Sequence, residues 1–157
     1  DEENLVWKKS YNIGAARLMQ KFFHSDPISE ADQQLIIDHI AEQLKALKVI
    51  CEEYQPTTLI GSAGAFETFA TMLMPTLDLK ETSVADIPLQ DYFNLSEKLI
   101  SSTHEQRIAM KNLIPLRVDM IVMASILTNY VLKTLGIKQI KLCTYDLKMG
   151  VLQSLRN

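Results

Sequence analysis

Apolar positions along the chain recur at helical spacing in about six stretches and alternate in the manner of strands in three or four. Leu5, Trp7 and the run from Ser10 to Ile13 have strand character, broken by Lys8 and Lys9 and ended by Gly14. Ala16, Leu18, Met19, Phe22 and Phe23 predict a short helix that stops at His24-Ser25-Asp26-Pro27. Ser29 followed by Asp32 resembles a capping box. It opens a long helix with an apolar face through Ile37, Ile40, Leu44, Leu47 and Cys51, expected to pack along a sheet. Tyr54-Gln55-Pro56 closes that helix, and Thr57 to Ile60 form a strand. Gly61-Ser62-Ala63-Gly64 then makes a small-residue turn into a helix marked by Ala65, Phe66, Phe69, Ala70 and Leu73.

Residues 74 to 87 read as a loop with one short strand. Pro88 opens a helix through Tyr92, Phe93, Leu95, Leu99 and Ile100, which Ser101-Ser102-Thr103 separates from a second short helix reaching Lys111. Pro115 suits the first position of the next helix. That helix is apolar almost all round, through Ile121, Val122, Met123, Ile126, Leu127, Tyr130, Val131 and Leu135, so it belongs at the centre, with Gly136 as a left-handed cap. Lys138 to Tyr145 alternates as a strand, and Asp146 starts a last helix through Leu147, Val151, Leu152 and Leu155. Strands and helices mixed in this way predict an α/β layered domain.

Composition narrows the picture. The 157 residues, 47% hydrophobic, suffice for one well-packed domain. A net charge of −3 offers no global attraction for nucleic acid or anionic membrane. The run Met120 to Leu135, interrupted by Ser125, Thr128 and Asn129, is too short for a bilayer. Cys51 and Cys143 lie far apart in apolar surroundings without a C-x-x-C, as expected of buried thiols in a reducing cytoplasm, although their spacing leaves a disulfide open. His24, His39 and His104 lack metal-ligand spacing, and no metal held by protein ligands alone is expected. The start at Asp1, without a signal-peptide pattern, suggests an excised piece.

Candidate chemistry centres on residues 61 to 64. A strand-to-helix turn leaves unpaired N–H groups at the positive end of a helix dipole, and small residues let an anion approach the main chain, so phosphate is the natural ligand. The turn has neither a Gly-Lys-Ser/Thr ending nor G-x-G-x-x-G, and by itself it fits equally a tight turn that merely needs small residues, the plainer reading. Arg17 is expected to bond a carboxylate or carbonyl rather than a ligand. Arg107 and Lys111, at i,i+4, read as a solvated charged face. Arg117 sits unfavourably at a helix N-terminus and calls for a partner: Asp119, another carboxylate or a bound phosphate, with the salt bridge slightly ahead.

Four stretches together resemble one family, the exopolyphosphatase and guanosine pentaphosphate phosphohydrolase family of the actin-like ATPase superfamily. They are Asn12-Ile-Gly-Ala-Ala-Arg-Leu18, Leu59-Ile-Gly-Ser-Ala-Gly-Ala-Phe-Glu-Thr68, Pro115-Leu-Arg-Val-Asp-Met-Ile121, and Leu135-Gly-Ile followed by Tyr145-Asp-Leu-Lys-Met-Gly-Val-Leu152. They span nearly the whole chain, and only residues 74 to 105 lack clear support. The resemblance implies two lobes with ribonuclease-H-like sheets and a substrate cleft between them. Residues 1 to 157 would be a single domain, the second lobe, a mixed sheet flanked by helices and lacking its first strand. It further implies that Gly61, Ser62, Ala63 and Gly64 form the phosphate-facing turn and that Arg117 looks into the cleft. Glu67 and Arg17 are further candidates, with a structural role still preferred for Arg17. Polyphosphate or guanosine pentaphosphate would be the substrate, with Mg²⁺ bridging its phosphates.

The departures also matter. Ala63 and Ala65 stand where family members commonly carry hydroxyls, which leaves backbone N–H groups and Ser62 as donors. The family's first-lobe phosphate loop, its catalytic glutamate and a glycine-rich loop have no counterpart here and are expected upstream of Asp1, so no catalytic residue is assigned and the chain alone is expected to be inactive. One alternative is a noncatalytic interaction module that packs against a partner or, as a homodimer, against itself, based on an open sheet edge near residues 5 to 13. The other is half of an actin-like kinase or ATPase.

Overall fold

The computed structural model describes residues 5–155. The long apolar run becomes the helix around which the rest is arranged, α7 (Met120–Thr134). One side of it, with Val118, Ile121, Ala124 and Leu132, joins a core made with the sheet residues Ile87, Ile140 and Leu142 and with Phe69, Tyr92 and Leu99. The other side, with Val122, Met123 and Ile126, joins a second core made with Leu18, Ile28, Ile36, Ile40 and Leu44. A helix apolar all round is stable only with a core on each side, and each fully buried aliphatic side chain contributes roughly 1.5–3 kcal/mol. Gly136, at φ +67, ends the helix, and the Ile137 N–H bonds the Leu132 carbonyl at 3.1 Å in the pattern of a left-handed cap.

The sheet has three strands in the order β1 (Thr58–Ser62), β3 (Gln139–Cys143), β2 (Val84–Ile87). β1 runs parallel to β3 with Gly61 opposite Leu142, and β2 runs antiparallel with Ile87 opposite Ile140. The mixed sheet flanked by helices is the α/β arrangement expected. β1 leads into α4 (Gly64–Leu73), and β2 leads into α5 (Leu89–Ser101), which lies against α7.

Several local expectations change. Residues 5 to 13 form no strand: Lys8, Lys9 and Ser10 are all exposed, so no pleated face exists to be buried, and among the described residues the sheet edges are β1 and β2. The expected open edge near residues 5 to 13 is therefore not there. The long helix is two, α2 (Glu30–Gln43) and α3 (Lys45–Tyr54), divided at Leu44, whose φ −97 and ψ 9 leave the helical basin. α2 packs on α1 (Ala15–Phe22) and α7 rather than on the sheet, and Ile36 rather than Ile37 is fully buried with Ile40. At its start the Asp32 N–H bonds Ser29 Oγ, but the Asp32 carboxylate takes the Ser25 and Ser29 hydroxyls instead of closing a box. The reciprocal capping box stands elsewhere, between Thr103 and Gln106 at α6 (His104–Ile108). Pro115–Arg117 is a short 3-10 turn ahead of α7. Asp146 caps α8 (Leu147–Ser154) by accepting from the Lys148 and Met149 amides at 3.0 and 3.2 Å.

Candidate functional site

β1 ends at Ser62, and the chain turns within two residues into α4. Gly61 is buried, and a Cβ there would fall 2.1 Å from the Phe66 ring. Phe66 meets Phe69 edge-on at 5.9 Å, and Phe69 meets Tyr92 at 5.0 Å, so this glycine exists to let an aromatic stack close over the end of the strand. The Ser62 side chain is exposed. Ala63 has φ 55 and ψ −178, a conformation nearly reserved for glycine, which costs an alanine on the order of 1–3 kcal/mol. Gly64 follows at φ +49.

No side chain caps α4. The Phe66 N–H turns back to the Ala63 carbonyl at 3.2 Å, while the amides at the head of the helix have no side-chain acceptor. Arg117 lies against this helix end: a Cβ built on Gly64 would stand 3.2 Å from its Nη1. Gly64 thus answers two demands, a left-handed backbone and room for a guanidinium. A cation beside the positive end of a helix dipole is unfavourable unless an anion shares the space. Among the described residues no carboxylate comes within ion-pair distance of Arg117. Glu67 sits in the same first turn of α4, partly exposed.

Asp119, the partner proposed for Arg117 from the sequence, is engaged elsewhere. Its Oδ1 receives Arg107 Nη2 at 3.1 Å and lies 2.7 Å from His104 Nδ1. Arg107 corrects the sequence reading outright: far from a solvated face, it is 0% exposed. Its Nε donates to the Val118 carbonyl at 2.8 Å, Nη1 to the Ser102 carbonyl, and Nη2 also to Asp26 Oδ1 at 2.8 Å. Burial pushes the Asp26 carboxyl up, but the His104 amide, 2.6 Å from its Oδ2, and the Arg107 guanidinium more than reverse this and hold it below the usual carboxylate value. Asp26 stands 81 positions from Arg107 in the chain, so no local pattern could have revealed the pair.

Arg17 is exposed at α1 and donates to the Asn12 side-chain carbonyl. It lines a small cleft with Asn12, Lys21 and His39, to which neither the 61 to 64 turn nor Arg117 contributes. Cys51 is buried and Cys143 partly exposed, both as free thiols. Among the described residues no cluster of His, Cys, Asp and Glu is suited to hold a metal ion, and no helix is long and apolar enough to cross a membrane.

The sequence model of the Ppx/GppA phosphatase family matches residues 1–157. The Exopolyphosphatase 2 of Mycobacterium tuberculosis is 27% identical over 161 residues, covering 98% of this chain and 50% of that protein. Among solved structures, an exopolyphosphatase from Cytophaga hutchinsonii has a TM-score of 0.91 at 33% identity, over 99% of this chain and 51% of its own. The Aquifex aeolicus member of the Ppx/GppA family has a TM-score of 0.77 at 18% identity, over 92% and 46% respectively, a likeness of fold alone. The chain spans about half the length of these relatives.

Proposed function

Because this chain belongs to the Ppx/GppA phosphatase family, we propose that it is the substrate-binding second lobe of an exopolyphosphatase-type hydrolase, which releases terminal phosphate from inorganic polyphosphate or guanosine pentaphosphate. Its sheet and helices would then be one ribonuclease-H-like half of an actin-like fold, a single domain facing an N-terminal lobe across the substrate cleft.

One observation carries the reading: the Arg117 guanidinium packs on Gly64 at the uncapped start of α4, with no carboxylate of the described residues paired to it. Two sources of positive potential held together this way suit a phosphate group, which would take up the free amides and the guanidinium at once. The Ser62 hydroxyl would add a donor from the strand end. Gly61 would serve by admitting Phe66, and Ala63 by carrying the strained turn. In hydrolysis of a phosphoanhydride, these groups would stabilise charge that grows on the phosphoryl oxygens. The described residues do not suit a metal. Mg²⁺ would arrive with the substrate's phosphates and offset part of their charge. The group that activates water would belong to the other lobe, so the chain by itself should not turn over.

Titration of short-chain polyphosphate into the isotopically labelled chain tests this. Saturable amide shifts centred on Ser62 to Ala65 and lost in Arg117→Gln are expected. Still amides in a folded protein at millimolar polyphosphate would remove the reading for this chain. Parallel titration with guanosine pentaphosphate decides between the two substrates.

A second reading has one observation in its favour. β1 pairs only with β3 among the described residues, and Ile60 on it is 61% exposed, so a homodimer through this edge would bury an apolar side chain and pair free backbone groups. Sedimentation showing concentration-dependent dimers that Ile60→Lys abolishes would support an interaction module.

A further inference from the structure

Between the buried cluster and the surface arginine runs a short length of chain that both share. Arg107 holds the carbonyl of Val118 on one side and the carboxylate of Asp119 on the other, and these residues directly follow Arg117. Its remaining donors go to Ser102, just before α6, and to Asp26, in the connection between α1 and α2. The guanidinium therefore ties two other segments to the stretch that carries Arg117, and it does so with no exposure to solvent. His104 adds a second hold on Asp119 and, through its amide, a second hold on Asp26.

We propose that Arg107 is a positioning residue for phosphate binding: it clamps the 115 to 119 turn so that the Arg117 guanidinium rests on Gly64, and it keeps Asp119 occupied so that no neighbouring carboxylate neutralises Arg117. The proposal rests on the reading of the Gly64 and Arg117 site given above. Its physical basis is geometric. The 3-10 turn Pro115–Arg117 has little regular hydrogen bonding of its own and Leu116 beside Arg117 is 77% exposed, so side-chain packing anchors the stretch only past the turn, at the buried Val118. Its polar attachments are the Val118 carbonyl and the Asp119 carboxylate, and both receive Arg107. A planar guanidinium can serve these acceptors together in fixed directions, which an ammonium cannot.

The test uses the whole chain with Arg107→Gln and Arg107→Lys. Two quantities are read: the nuclear Overhauser contact between Gly64 and the Arg117 side chain, without ligand, and polyphosphate affinity from the Ser62 to Ala65 amides. Arg107→Gln should lose the contact and bind polyphosphate about tenfold or more weakly, because a displaced positioning group forfeits much of its effect. Arg107→Lys should recover part of both. Amides of β1 and β3 should stay in place in each variant. A merely structural arginine would lower the melting temperature and leave the Gly64 contact intact.

If Arg107→Gln does not fold, Asp119→Asn, which keeps Arg107, should loosen the same contact and weaken binding less. A folded Arg107→Gln, or failing that a folded Asp119→Asn, with contact and affinity unchanged overturns the proposal. Should the unsubstituted chain bind no polyphosphate, the phosphate reading falls. The ligand-free contact then still decides whether Arg107 positions Arg117.

Discussion

Arg107 and Arg117 leave neighbouring stretches of chain and meet opposite surroundings. The first lies at the centre of a closed cluster with each of its three guanidinium nitrogens bonded, to Val118, Ser102, or Asp26 and Asp119. The second lies on Gly64 at an uncapped helix start, with no carboxylate beside it among the described residues. A saturated charge is a fixture of the fold, and its removal is felt as lost stability. An unsaturated charge adds little to the fold and is felt when a ligand arrives. The two regions thus divide the chemistry of one residue type between holding and binding.

The strongest way to break this contrast is Arg107→Ala. It empties a fully buried side-chain position and strands two carbonyls and two partly exposed carboxylates, and it should lower unfolding free energy by about 2–5 kcal/mol in a denaturant titration. A loss below that of an ordinary surface substitution would mean the cluster is not the fixture described. Next in size is Gly61→Ala. Its Cβ meets the Phe66 ring, so roughly 1–3 kcal/mol of overpacking is expected, and Phe66→Leu should relieve part of it. Unchanged stability would return Gly61 from the fold to the site.

Arg117→Gln should sharpen the contrast from the other side. Stability by thermal melting should change by no more than about 0.5 kcal/mol, while the polyphosphate response at Ser62 to Ala65 disappears. A large loss of stability would give Arg117 a partner in the fold after all. The smallest effect concerns pH. Asp26 is held below its ordinary value of 3.8, so the stability it contributes is present above that value and lost as pH falls through its lower folded value. Asp26→Asn should remove this part of the acid limb in denaturant titrations between about pH 2 and 5. A limb of unchanged slope would show that Asp26 is not linked to folding.

Much of the architecture was legible as pattern. The run from Met120 to Leu135 announced a central helix, Gly136 its cap, Asp146 the start of the last helix, and the Thr57 to Ala70 stretch a strand, turn and helix. In each case the signal is a backbone requirement or a periodicity contained within a few turns. The misreadings share the opposite character. Residues 5 to 13 have some strand propensity but no face to bury. The helix expected from Ser29 onward runs past a break at Leu44 that is not visible in its apolar spacing. The one short strand expected within residues 74 to 87 is there as β2, four residues whose exact place comes from pairing with β3. Of the candidate site, the turn at 61 to 64 and Arg117 were both marked, but nothing in the sequence tied Gly64 to Arg117, and Asp119 was the natural partner on spacing alone.

By itself the sequence determined which segments are helices and strands where the apolar pattern is periodic, which family's pattern the chain carries, and which small residues make the turn before α4. Only the tertiary structure decided what each charge does. It buried Arg107 against Asp26 and removed Asp119 from Arg117. Among the described residues it also placed the sheet edges at β1 and β2, and it gave Gly61 to Phe66 and Gly64 to Arg117. The reason is one of range. Backbone propensity and amphipathic spacing act between residues a few positions apart, whereas the partner of a charge and the neighbour of a glycine are set by segments that meet only after the chain has folded.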